Sequence, residues 1–218
     1  KNNMQSSSQS SPFPPPSGEI EGVGKGIKFS KYQIATAIAI LFHTIGFLGI
    51  AVFKNNFIIQ STAFNLLLMF ALLIWTQNEK NNFFWLFLLV TIAAGIVVEV
   101  IGVNTKLLFG DYNYGNVLGI KVKNVPLIIG VNWFIIIYCC GITINTLLIK
   151  AIDKVAVETA TPPMRLKAIS VIIDGATLAV FFDWLIEPVA VQLAYWKWNG
   201  EIPFYNYLCW FAVSLALL

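Results

Sequence analysis

The feature that most constrains this chain is a succession of apolar runs, each close to the length of a bilayer crossing. An α-helix needs roughly 20 apolar residues, at a rise of about 1.5 Å each, to traverse the hydrocarbon core. Runs of this kind cover Tyr32–Phe53, Phe57–Trp75, Phe83–Val103, Val125–Ile149 and Ala168–Glu187. A sixth, Phe204–Leu218, has 15 residues, so the helix is expected to continue beyond Leu218. Charge is correspondingly scarce. Asp, Glu, Lys and Arg make up 11% of the chain, where a soluble domain carries about 25%. The expected fold is therefore all-α, a polytopic transmembrane bundle with six spans visible and the last incomplete.

The first 27 residues are of different composition. Ser, Gln, Pro and Gly dominate them. Such a stretch cannot bury enough apolar surface to order itself, so residues 1–27 are expected to be a disordered tail and 28–218 the membrane domain. No apolar segment of signal-peptide type precedes residue 32. Two connections, Lys106–Asn124 and Pro188–Pro203, are half apolar and rich in Gly, Tyr and Trp. They read as interfacial or re-entrant segments with aromatic rings at headgroup level. Eight Lys and Arg fall on the side of the N-terminus (Lys25, Lys28, Lys31, Lys80, Lys150, Lys154, Arg165, Lys167) and five on the other (Lys54, Lys106, Lys121, Lys123, Lys197). This excess points to a cytoplasmic N-terminus.

Ionisable side chains within spans are costly and mark function by default. His43, Glu99, Asp174 and Asp183 lie inside spans, and Glu187 ends the fifth. From helix rise, Glu99 and Asp183 sit about 9 Å and about 8 Å beyond the middle of the third and fifth spans. Both displacements are toward one leaflet, because alternate spans run in the same direction. His43 lies slightly beyond the middle of its span on that side. Asp183 and Glu187, four apart, share a helix face. Asp174 lies half a turn away from Asp183 and in the opposite leaflet. The two aromatic connections emerge on the Glu99/Asp183 side, so Tyr112, Tyr114, Trp196 and Trp198 are expected to meet the acids in an apolar, aromatic pocket. Each acid also has a structural reading as a hydrogen-bond partner between helices, and for His43 and Asp174 that reading weighs as much as function.

Many chemistries are absent from the sequence. It has no phosphate-binding loop, no dinucleotide fingerprint, no zinc-protease motif and no serine nucleophile elbow. A single His rules out a histidine-rich iron site, and every Lys lies at a span boundary, away from where a retinal Schiff base would need it. Three cysteines without metal or redox spacing read as packing residues. No basic cluster suggests nucleic acid. What remains is acid–base chemistry without a cofactor or metal on an apolar molecule, or transport, or passive binding.

Two stretches carry a resemblance. EVIGVNTKLLFGDYNYGNVLGIKVKNVPLIIGVNW from Glu99, which ends on Trp133, and DWLIEPVAVQLAYWKWNGEIPFYNYLCW from Asp183 are similar to the CruF-type carotenoid 1,2-hydratase family. LFHTIGFLGI around His43, and Asn65, also fit, so the likeness spans about residues 32–218. It implies addition of water to the terminal double bond of an acyclic carotenoid end group, lycopene-like or gamma-carotene-like, giving a tertiary hydroxyl. It also implies a carotenoid substrate, no cofactor, a multi-pass location in the bacterial inner membrane and association with other membrane proteins.

Within those motifs the roles follow from chemistry. Hydrating a trisubstituted alkene needs a proton donor at one carbon and leaves a tertiary cation at the other. A carboxylic acid in an apolar site can keep and deliver that proton, and aromatic faces stabilise the cation. A second, ionised carboxylate can stabilise the cation too and accept a proton from the attacking water. Glu99, Asp183 and Glu187 are the candidate catalytic residues. Asp183 is the acid of choice because it is deeper than Glu187, and Glu99 positions water or acts as base; as far as the sequence goes, the two roles can be exchanged. His43, Tyr112, Tyr114, Trp133, Trp196 and Trp198 are the candidate substrate-binding residues. Two other readings stay open: a carotenoid-binding accessory subunit without turnover, and a proton-coupled transporter, although no inverted repeat is evident.

Overall fold

The computed structural model describes residues 29–155 and 164–218. Seven α-helices make up most of it: α1 (Lys31–Phe47), α2 (Asn56–Gln60), α3 (Thr62–Thr76), α4 (Asn82–Thr105), α5 (Ile128–Val155), α6 (Met164–Gln192) and α7 (Phe204–Leu217). Four helical stretches are long and apolar enough to cross a membrane: α1 with its π-helical extension Leu48–Val52, α4, α5 and α6. α3 and α7 are shorter apolar helices. The chain is thus an all-α membrane bundle. The expected tail, residues 1–27, lies outside the described residues.

Local signals explain several boundaries. Ser30 opens α1 with a reciprocal capping box, its hydroxyl accepting from the Gln33 N–H while the Gln33 side chain accepts from the Ser30 N–H. Asn81 caps α4 by accepting the Phe84 N–H at 2.9 Å. The run Phe57–Trp75 was expected to be one span, but the helix is interrupted at Ser61. The Ser61 hydroxyl donates to the Phe57 carbonyl and the Thr62 hydroxyl to the Ile59 carbonyl. Two successive hydroxyls compete for helix carbonyls at the break. The fifth span was expected to stop at Glu187, yet α6 runs through Pro188 to Gln192. Proline removes one bond to the preceding turn, and the helix closes beyond it with the Leu193 N–H donating to the Val189 carbonyl.

α5 lies at the centre, packed against α3, α4 and α6, with α7 on α6 and α1 on α3. Close approach of α4 and α5 depends on Gly95, where an added Cβ would come within 2.7 Å of the Trp133 side chain. Many large apolar residues on the helices are exposed, among them Phe83, Leu86, Leu89, Phe181 and Trp184. On a soluble protein such faces would be an aggregation hazard; on this bundle they meet lipid.

The two aromatic connections were expected to be interfacial or re-entrant segments. They contain three short strands, and a fourth follows directly after the first connection. β1 (Tyr112–Tyr114) pairs antiparallel with β4 (Trp196–Trp198), in the register Tyr112↔Trp198, Asn113↔Lys197, Tyr114↔Trp196. β2 (Lys121–Val122) pairs with β3 (Val125–Pro126). The turn between them holds Lys123 and Asn124 at φ 46° and 69°, the doubly left-handed pattern that suits a two-residue hairpin. Val125 and Pro126 therefore belong to a strand, and the fourth span begins at Ile128. Backbone bonds from Asn199 N–H to the Asp111 carbonyl and from Gly115 N–H to the Tyr195 carbonyl fasten the ends of the β1–β4 ribbon. Beside it, Gly110 has φ 133°, and a Cβ there would lie 2.8 Å from both Trp198 and Pro203.

Candidate active site

Glu99, on the C-terminal half of α4, and Asp183 and Glu187, on the C-terminal half of α6, are buried, at 4%, 2% and 3% exposure. They line one cavity together with Tyr112, Tyr114, Trp133, Trp196 and Trp198. Its volume is about 30 Å³, room for about two water molecules at ~10–15 Å³ each. The cavity sits at the end of the bundle where α4 and α6 finish and α5 and α7 begin. Every residue expected at the pocket lines it except His43, and Asp174, expected in the opposite leaflet, stays away from it.

Each acid has its own donors. Glu99 Oε2 accepts from the Tyr112 hydroxyl at 2.5 Å and the Tyr114 hydroxyl at 2.8 Å, and Glu99 Oε1 accepts from the Trp133 indole at 3.0 Å. Glu187 Oε2 accepts from the indoles of Trp196 and Trp198, both at 3.0 Å. Asp183 Oδ2 accepts from the Asn206 amide at 2.9 Å, and its Oδ1 accepts nothing among the described residues. Burial, reinforced by the neighbouring Glu99, holds the Tyr112 and Tyr114 phenols well above the usual tyrosine range. Both therefore stay protonated and donate.

The ribbon organises these donors. Side chains alternate along a strand, so Tyr112 and Tyr114 share one face of β1, and Trp196 and Trp198 share the same face of β4. Asn113 and Lys197 point outward and are exposed. The four aromatic residues form a two-by-two array across the ladder, with Tyr112 and Trp198 centroids 5.1 Å apart and Tyr114 and Trp196 6.1 Å apart. One column holds Glu99 of α4 and the other Glu187 of α6. On the opposite wall Trp133 stacks on Trp210 of α7 at 4.0 Å and 13°.

Phe109, Asn132, Asn206 and Trp210 also line the cavity, and sequence reasoning missed them. Asn206, Trp210 and Ser214 are the buried residues of α7, spaced four apart, a polar and aromatic stripe in an apolar run that could have signalled a face turned to the acids. His43 is exposed, and its Nδ1 donates to the Ala39 carbonyl of its own helix at 2.8 Å. Asp174 is exposed and accepts from the Ser170 hydroxyl at 2.7 Å. A group four residues back on the same helix satisfies each of them, and neither reaches the cavity. Among the described residues, no group of three or more His, Cys, Asp or Glu is arranged to hold a metal ion.

The helical membrane bundle thus encloses three buried carboxyls, each met by indole, phenol or amide donors. The chain belongs to the carotenoid biosynthesis protein family, whose model matches residues 56–218. That match covers every residue of the cavity and leaves His43 outside. No curated protein and no solved structure matches the chain.

Proposed function

We propose that this protein is a cofactor-free hydratase that adds water to the terminal double bond of an acyclic carotenoid end group. The observation that carries the reading is the unequal supply of donors to three buried acids in one aromatic-walled cavity. Among the described residues Glu99 has three donors and Glu187 two, and these bonds favour the carboxylate form against the burial that all three acids share. Among the described residues Asp183 has one, the fewest of the three, and like Glu187 it keeps its second oxygen for the cavity. Asp183 is accordingly the proton donor and Glu99 the base.

The atoms balance as follows. The O–H bond of the Asp183 carboxyl breaks and its proton adds to the less substituted alkene carbon, using the π pair to form a C–H bond. The cation left on the dimethyl-bearing carbon faces the Tyr and Trp rings and two carboxylates. Water adds its oxygen to that carbon and releases one proton to Glu99. Transfer of that proton back to Asp183 through water restores the starting state, so one water is consumed and a tertiary alcohol formed. The partners of this reading are a carotenoid and the bilayer that delivers it, with association to other membrane proteins. Its setting is a bacterial inner membrane with the N-terminus cytoplasmic, as the Lys and Arg distribution favours.

The test is expression in a host that makes acyclic carotenoids, followed by pigment extraction. The expected product is more polar and heavier by one water, and Asp183→Asn should lower its formation by roughly 10²–10⁴-fold. Pigment that co-purifies unchanged with a folded wild-type protein would instead make it a binding subunit and end the hydratase reading.

A further inference from the structure

The hydratase reading requires a proton on Asp183 but leaves open which of its oxygens carries it. Asn206 is 1% exposed, sits in the first turn of α7 and, among the described residues, makes one side-chain bond, from its amide Nδ2 to Asp183 Oδ2 at 2.9 Å. Both residues line the cavity. In a neutral carboxyl the carbonyl oxygen is the better acceptor and the hydroxyl oxygen the donor. An N–H donor fixed on Oδ2 therefore makes that atom the carbonyl and leaves the proton on Oδ1. Oδ1 is the oxygen with no protein partner among the described residues, free to face a substrate.

We infer that Asn206 is a positioning residue, which fixes the proton of Asp183 on Oδ1 and holds that oxygen toward the reacting alkene. In this role Asn206 acts through Asp183 and not on the reacting atoms. It belongs to a different helix from the acid, so the packing of α7 on α6 sets the orientation of the carboxyl. Without the amide, the carboxyl can turn about its Cβ–Cγ bond or exchange its oxygens, and only part of the population presents the proton.

This inference rests on the hydratase reading for its kinetic consequence, and an infrared measurement separates the two. The carboxyl C=O band of Asp183 is assigned as the band lost in Asp183→Asn. A C=O that accepts a hydrogen bond absorbs at lower wavenumber than a free one. Replacing Asn206 with Ala, or with Leu to preserve volume should the Ala variant fail to insert, is expected to move that band upward. In the turnover assay the same variants are expected to lose on the order of 10²-fold in kcat, the scale of a misoriented reacting group. KM should change less than threefold, because the aromatic walls of the cavity are untouched.

An unmoved band in a folded variant overturns the inference whatever the activity. So does a moved band with unchanged kcat, or a loss confined to KM. Wild-type protein that makes no hydrated product overturns the hydratase reading, while the band shift still tests the bond between Asn206 and Asp183.

Discussion

The three donors around Glu99 make replacement of this residue sharply dependent on what replaces it. In Glu99→Gln one carboxylate oxygen becomes an NH₂. Were it the oxygen facing Trp133, two donors would oppose each other, since an indole N–H cannot accept. Were it the oxygen facing Tyr112 and Tyr114, the hydroxyls could rotate and accept. The glutamine should therefore settle with its oxygen toward Trp133 and its amide toward the tyrosines. All groups stay paired, and the loss is the strength of charge-assisted bonds, about 1–3 kcal/mol. Glu99→Leu orphans the indole and both phenols, at about 1–3 kcal/mol each. The total of roughly 3–9 kcal/mol is comparable to the whole stability of many domains. Unfolding in mixed detergent micelles, followed by tryptophan fluorescence, measures both losses. Glu99→Gln should fold with a modest deficit and lose turnover severely, whereas Glu99→Leu should fail to accumulate. Equal stability of the two variants would refute the assignment of three bonds to this carboxylate.

Trp196→Phe and Trp198→Phe each remove one of two donors to the same oxygen of Glu187; each single change should cost less stability than half of the double, and a double-mutant cycle reads the difference. Asp174→Asn and His43→Phe should leave product formation within about twofold of wild type, because neither side chain lines the cavity; a dead Asp174→Asn variant would move the site to the other end of the bundle. Gly95→Ala drives a methyl against the Trp133 ring and should cost about 1–3 kcal/mol by overpacking, with tilting of the indole away from Glu99 visible as lost activity. The Lys106 ammonium, 2.6 Å away, and the Asn199 amide hold the Asp111 carboxyl below the usual range. A depressed folded value contributes stability above the unfolded value of about 3.9 that disappears as pH falls through the folded one. The melting difference between wild type and Asp111→Asn should thus be constant from neutral pH to about pH 5 and vanish in stronger acid.

The helices could be read from the sequence because lipid imposes one rule on every span: a run of apolar residues long enough to cross. The acids were legible for the same reason, since the cost of burying Glu99 and Asp183 makes them conspicuous. The strands were not. Tyr-Asn-Tyr and Trp-Lys-Trp each show the alternation of a half-buried strand, but three residues are too few to separate a strand from an interfacial loop. Their partner lies more than eighty residues away. Pro188 looked like the end of a span, while the bundle carries the helix past it. His43 and Asp174 carried the same cost signal as Glu99. What distinguishes them is that each turns to a group four residues back on its own helix, a choice of rotamer that residue type alone does not determine. Asn206 gave no such signal because a neutral amide in an apolar run is inexpensive and common.

The outward face of the ribbon bears on what the chain can tolerate in its own length. Lys197 stands between Trp196 and Trp198, and a slip of one residue along β4 would exchange inside for outside. An ammonium would then enter between Glu99 and Glu187, an electrostatically comfortable arrangement that neutralises the very carboxylates a cation needs. Such a slipped pairing would have charge attraction on its side. What selects the other is the pair of indole bonds to Glu187 inside the cavity and, outside it, Asn199 joined to Asp111 by main chain and side chain and Gly115 joined to Tyr195. Insertions should therefore be found in the loops on either side of these fastenings and not between them, with Asp111 and Asn199 changing together or not at all.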